Sequence, residues 1–76
     1  MSAARAGHLV KRSFTLAGHR TSVALEPEFW AVLEAAAARR GEPLLRLILA
    51  ADAARDDPDL PLASALRVLA LVLARG

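Results

Sequence analysis

The chain contains no cysteine and only two histidines, His8 and His19. Disulfides are thereby excluded, and a structural zinc site has too few ligands to form. Aromatic residues are scarce too: Phe14, Phe29 and Trp30 are all there are. There is no glycine-rich phosphate loop, no nucleophile beside a base and no paired carboxylates suggesting a pocket, so enzyme chemistry is not expected. The longest apolar stretch, Leu60 to Ala74, is broken by Arg67 and falls short of the roughly 20 residues that span a bilayer. The N-terminus lacks the apolar core of a secretory signal. These absences fit a cytoplasmic, non-enzymatic protein with no cofactor.

Acidic residues are absent from the first 25 positions, which carry Arg5, Lys11, Arg12 and Arg20. The remainder holds six arginines against eight acids, so a basic N-terminal third precedes a nearly neutral body. That asymmetry points to a polyanionic partner. The chain is nevertheless strongly apolar, 55% hydrophobic in 76 residues with a mean hydropathy of +0.35. A domain this small buries a limited share of its surface. Without disulfide or metal, the excess predicts association, most simply as a homodimer.

Residues 1–9 have no periodicity and read as a flexible arm, with residues 10–76 as one domain. Two short strands follow the arm. In Lys11–Leu16, Arg12, Phe14 and Leu16 alternate with Lys11, Ser13 and Thr15; in Arg20–Leu25, Thr21, Val23 and Leu25 alternate with Arg20, Ser22 and Ala24. Gly18 marks a turn or bulge between them. A first helix is predicted over Pro27–Arg40, opened by Pro27 and Glu28 and stopped by Gly41; Phe29, Val32, Leu33 and Ala36 form its apolar stripe. A second helix, from near Pro43 to Arg55, is apolar on more than one side through Leu44, Leu45, Leu47, Ile48, Leu49 and Ala51. Pro58 separates it from a third, Pro61–Arg75, whose Leu62, Leu66, Leu69 and Leu73 share a face widened by Val68 and Val72. Arg67 is expected either to pair with Asp52, Asp56 or Asp57 or to snorkel to the surface. Phe29 is expected in the core and Trp30 as a cap on it, and His19 reads as a polar turn residue.

A strand needs a partner for its backbone. The simplest expectation is that Arg20–Leu25 pairs antiparallel with its own copy across a two-fold axis, and that both chains' helices share one core. Lys11–Leu16 lies beside that ribbon or replaces it as the outer strand.

Lys11-Arg12-Ser13, Gly18-His19-Arg20-Thr21-Ser22-Val23, Leu25-Glu26-Pro27-Glu28-Phe29-Trp30 and Ser64-Ala65-Leu66-Arg67 together resemble a bacterial branch of the ribbon-helix-helix domain proteins, over nearly the whole chain from residue 10. The resemblance implies a mainly α fold with a short β-ribbon, an intertwined homodimer carrying an extra N-terminal strand and C-terminal helix. It implies a DNA-binding transcriptional regulator that inserts an antiparallel ribbon into the major groove. Carried over, Arg20, Ser22 and Ala24 are the base-facing positions. Lys11, Arg12 and the amides of Leu44 and Leu45 are the phosphate contacts. Val23, Leu25, Phe29, Leu33, Leu47 and Ile48 form the dimer core. Two departures stand out: Pro43 replaces the Ser or Thr common at the cap of the second helix, and Ala24 offers only a methyl group. An alternative is a protein-interaction module of the same fold, antitoxin-like, without sequence-specific DNA binding and docking a partner through the C-terminal helix. A membrane-surface role is disfavoured by the few cations on that helix.

Overall fold

The computed structural model describes residues 8–75. Strands β1 (Val10–Leu16) and β2 (His19–Leu25) are followed by helices α1 (Pro27–Arg40), α2 (Leu44–Ala54) and α3 (Leu62–Arg75). The expected arm lies largely outside the described residues; His8 and Leu9 are exposed and carry no regular structure.

The two strands pair with each other, antiparallel, from Val10 opposite Leu25 to Leu16 opposite His19. Lys11–Leu16 thus lies beside Arg20–Leu25, one of the two expected placements of that strand, and joins it in a hairpin within the chain. The physical reason lies in the two residues between the strands. Ala17 and Gly18 both take positive φ, 49° and 83°, the signature of the type I′ turn whose twist matches two paired strands. Gly18 adopts this backbone without penalty; Ala17 does so at a steric cost.

Helix α1 begins at Glu26, whose carbonyl accepts from the amides of Phe29 and Trp30. It ends on Gly41, left-handed at φ 65°, with the Gly41 amide bonded to Ala38 O and the Glu42 amide to Ala37 O. That closure satisfies carbonyls the last turn would otherwise leave open. Pro43 caps α2 with extended backbone and no side-chain hydrogen bond. Pro58 falls in the connector before α3.

One core forms within the single chain. Leu25, Leu33, Ile48 and Leu66 are fully buried, joined by Leu16, Val23, Trp30, Ala36, Leu47 and Ala70. α3 closes this core by packing on α1, α2 and β2. Five of the residues expected between protomers, Val23, Leu25, Leu33, Leu47 and Ile48, are therefore buried without a second copy. The roles of Phe29 and Trp30 are exchanged relative to expectation. Trp30 is in the core, whereas Phe29 is half-buried with the Arg67 guanidinium 6.0 Å from its ring centre. Trp30 wins the inner position because its indole N–H finds a partner there, the Val10 carbonyl at 2.8 Å.

Arg67 does not reach the connector acids. Its Nε donates to Glu26 Oε1 at 3.0 Å, tying α3 to the start of α1. Asp52 is taken instead by Arg55 at 2.7 Å. A hydrogen bond at Glu26's own backbone, then the hydrogen bond from the Arg67 guanidinium, hold the Glu26 carboxyl below its ordinary range, with desolvation opposing them.

Candidate nucleic-acid interface

Pairing two alternating strands in this register sorts their side chains onto two faces. Arg12, Phe14 and Leu16 of β1 join Thr21, Val23 and Leu25 of β2 on the face toward the helices. Lys11, Ser13 and Thr15 join Arg20, Ser22 and Ala24 on the opposite face. All of the latter are exposed except Ala24, which is half-buried.

This outer face has three rungs. Lys11 stands opposite Ala24, Ser13 opposite Ser22, and Thr15 opposite Arg20. The Ser13 and Ser22 hydroxyls are 3.0 Å apart, within hydrogen-bonding distance of each other at the centre. One cation therefore sits near each end, on different strands, with small hydroxyl groups between. No acid shares the face, and neither Lys11 nor Arg20 forms an ion pair among the described residues. Seven residues of strand make a ribbon roughly 20 Å long with strands about 5 Å apart, narrow enough for a major groove about 12 Å wide.

Of the expected base-facing positions, Arg20, Ser22 and Ala24 lie together on this surface. The expected phosphate contacts are divided. Lys11 is on the outer face, but Arg12 is on the inner one. Its guanidinium lies 4.9 Å from the Trp30 ring centre and 5.9 Å from that of Phe14, and bonds Glu34 at 2.8 Å. Arg12 thus fastens the ribbon to α1. Leu44 is buried and Leu45 exposed in the first turn of α2. There the next amide, Arg46 N, already bonds Pro43 O at 3.0 Å. His19 opens β2 and is exposed. Among the described residues no cluster of His, Cys, Asp or Glu is suited to a metal, and no helix is long and apolar enough to cross a membrane.

Sequence reasoning missed Ser13 and Thr15 as members of the outer face. The signal was present: their alternation with Arg12 and Phe14 assigns them to the same side as Lys11. Joining that side to the side of Arg20 and Ser22 required the two-residue turn at Ala17-Gly18.

No curated protein and no solved structure matches the chain. A family model described as a ribbon-helix-helix domain matches residues 9–73, the span that holds the ribbon and nearly all of the three helices. The chain belongs to the ribbon-helix-helix domain family, whose members are in general DNA-binding regulators.

Proposed function

We propose that this protein is a bacterial, cytoplasmic transcriptional regulator that binds DNA by laying the outer face of its β1–β2 ribbon in the major groove. The observation that carries the reading is the make-up of that face: Lys11 and Arg20 at its ends, a Ser13–Ser22 pair at its centre and no carboxylate. Arg20 has the fork geometry to donate two hydrogen bonds to one guanine, and Ser22 and Ser13 can donate to or accept from base edges. Ala24 contributes a methyl contact. Lys11 meets a phosphate, as does any part of the first turn of α2 that Pro43 leaves available through the amides of Leu44 and Leu45. Arg12 acts through the fold by holding the ribbon to Trp30 and Glu34. The protein works as a homodimer, a reading supported by its apolar composition rather than by any need for a second strand.

The test is fluorescence anisotropy on DNA enriched from a random pool, over a range of salt. Binding should weaken steeply with salt, and each phosphate contact removed should lower the slope by about 0.9. Arg20→Ala should flatten the preference among sequences by about 1–3 kcal/mol at one base position. Lys11→Ala should weaken all sequences alike. A protein-interaction module without DNA reading predicts no binding even at low salt, and that result would overturn the proposal.

A further inference from the structure

A groove of about 640 Å³ runs between α2 and α3, within the range of roughly 300–1,000 Å³ typical of small-molecule sites. Ala50, Ala51 and Ala54 of α2 and Ala65 of α3 line it with small side chains, and Val68 and Val72 of α3 with larger ones. Both valines are more than half exposed, at 61% and 56%. Between Ser64 and Val72, both on the lining, α3 rises roughly 12 Å. The shape is a long apolar trough, with no aromatic ring on which a flat ligand could stack.

Its polar lining gathers where α2 gives way to the connector. Arg55, Asp56 and Asp57 follow directly on Ala54, and Ser64 lies in the first turn of α3. Arg55 is half-buried and tethered: Nη2 donates to Asp52 at 2.7 Å and Nη1 to the Leu60 carbonyl. Its Nε–H is buried and has no acceptor among the described residues. A buried donor without a partner carries a desolvation cost that an acceptor oxygen relieves.

We propose that the trough binds an uncharged aliphatic molecule with a carbonyl oxygen at one end, its chain along the alanine floor and its oxygen accepting from Arg55 Nε–H. Three observations select this chemistry. The alanines and valines offer only apolar contact, which a saturated chain fills. The unmet group at Arg55 is a donor, so it calls for an acceptor. The charges nearby disfavour an ion. A carboxylate head would meet Asp56 and Asp57, and an ammonium head would bring only donors to a donor. Arg40, the other cation on the lining, belongs to the end of α1 and has Glu42 3.9 Å away. Neither β1 nor β2 contributes a lining residue. The inference therefore does not rest on DNA reading, and either can fail alone.

The test follows amide shifts of the full, isotope-labelled chain during titration with methyl pentyl, methyl hexyl and methyl heptyl ketone. Saturable shifts should centre on Ala50–Ala54 and Ser64–Val72 and spare Lys11–Ala24. Each added methylene should tighten Kd about fourfold. Octanoate and octylammonium, as long as methyl hexyl ketone, should bind at least about tenfold more weakly. Arg55→Lys keeps a cation beside Asp52 and removes the Nε–H. It should weaken all three ketones about tenfold, the worth of one hydrogen bond, and leave the dependence on chain length unchanged. Ala54→Phe fills the trough from an exposed position and should abolish the shifts with helical circular dichroism retained. Should that variant unfold, the ketone series and Arg55→Lys still decide the matter. Absence of saturable shifts, a Kd indifferent to chain length, an ion bound as tightly as the ketone, or an Arg55→Lys chain equal to wild type would each overturn the proposal. So would shifts over the same residues that grow with protein concentration before ligand is added, which would assign the trough to another protein chain.

Discussion

Replacing Trp30 by phenylalanine isolates the attachment on which the ribbon depends. Trp30 stands on the first turn of α1, is buried, and donates its indole N–H to the Val10 carbonyl at 2.8 Å. Its ring meets Phe14 at 6.0 Å between centres, tilted by 39°, and carries the Arg12 guanidinium above it. The variant loses one part-buried hydrogen bond, worth about 1 kcal/mol. It loses apolar contact equivalent to one fused ring, roughly 40 Å² at about 25 cal/mol per Å², or about 1 kcal/mol. The cation–π contact to Arg12 weakens by about 0.5 kcal/mol. Val10 is exposed at the strand end, so water reaches the vacated carbonyl and no orphan penalty is added. The expected destabilisation is therefore about 2–3 kcal/mol, a large share of the roughly 4–11 kcal/mol available to a domain of 76 residues. It should lower Tm by about 10–20 °C. Urea unfolding followed by circular dichroism gives the magnitude, and amide exchange locates it: protection should fall more across Val10–Leu16 than across α2. A loss below about 0.5 kcal/mol, or exchange accelerated equally everywhere, would refute the strap.

Three further outcomes follow from single contacts. Ala17→Asn should stabilise the hairpin by about 0.5–1 kcal/mol, since asparagine tolerates the left-handed backbone that alanine holds at φ 49°; an unchanged urea midpoint would show that the turn is not strained. Lys11→Ala and Arg12→Ala should separate two properties of neighbouring residues, the first weakening DNA binding with Tm intact, the second lowering Tm because it frees Glu34 and uncovers Trp30; equal effects on both readouts would contradict their placement on opposite faces. Acid should loosen α3 from α1: the folded state holds the Glu26 carboxyl below its ordinary range, so its contribution is present above the unfolded pKa and is lost as pH falls through the lowered value. Arg67→Gln should make that acid loss of Tm shallower without abolishing it, because the backbone hydrogen bond at Glu26 remains; an acid limb as steep as the wild type's would count against the pair.

Helices were legible in the sequence because their boundaries are written in local chemistry. Pro27, Gly41 and Pro58 act within a few residues, and α1 matches its expected span of Pro27–Arg40. Strand faces were legible for the same reason, since alternation is local: Thr21, Val23 and Leu25 point inward as their spacing demands. What escaped was partner choice. Nothing local says that β2 takes β1 as a neighbour, because any antiparallel ladder satisfies the same backbone groups. A positive φ at Ala17 decides for the hairpin, and alanine does not advertise that conformation as asparagine or glycine would. Arg67 failed similarly. The connector acids were near in sequence, but α3 folds back across α1, bringing Glu26 from 41 positions away. Arg12 and Lys11 looked equivalent as a basic pair of phosphate contacts, although their alternation already put them on opposite faces; what Arg12 meets on its face, the Trp30 ring and Glu34, comes from α1 and is not local.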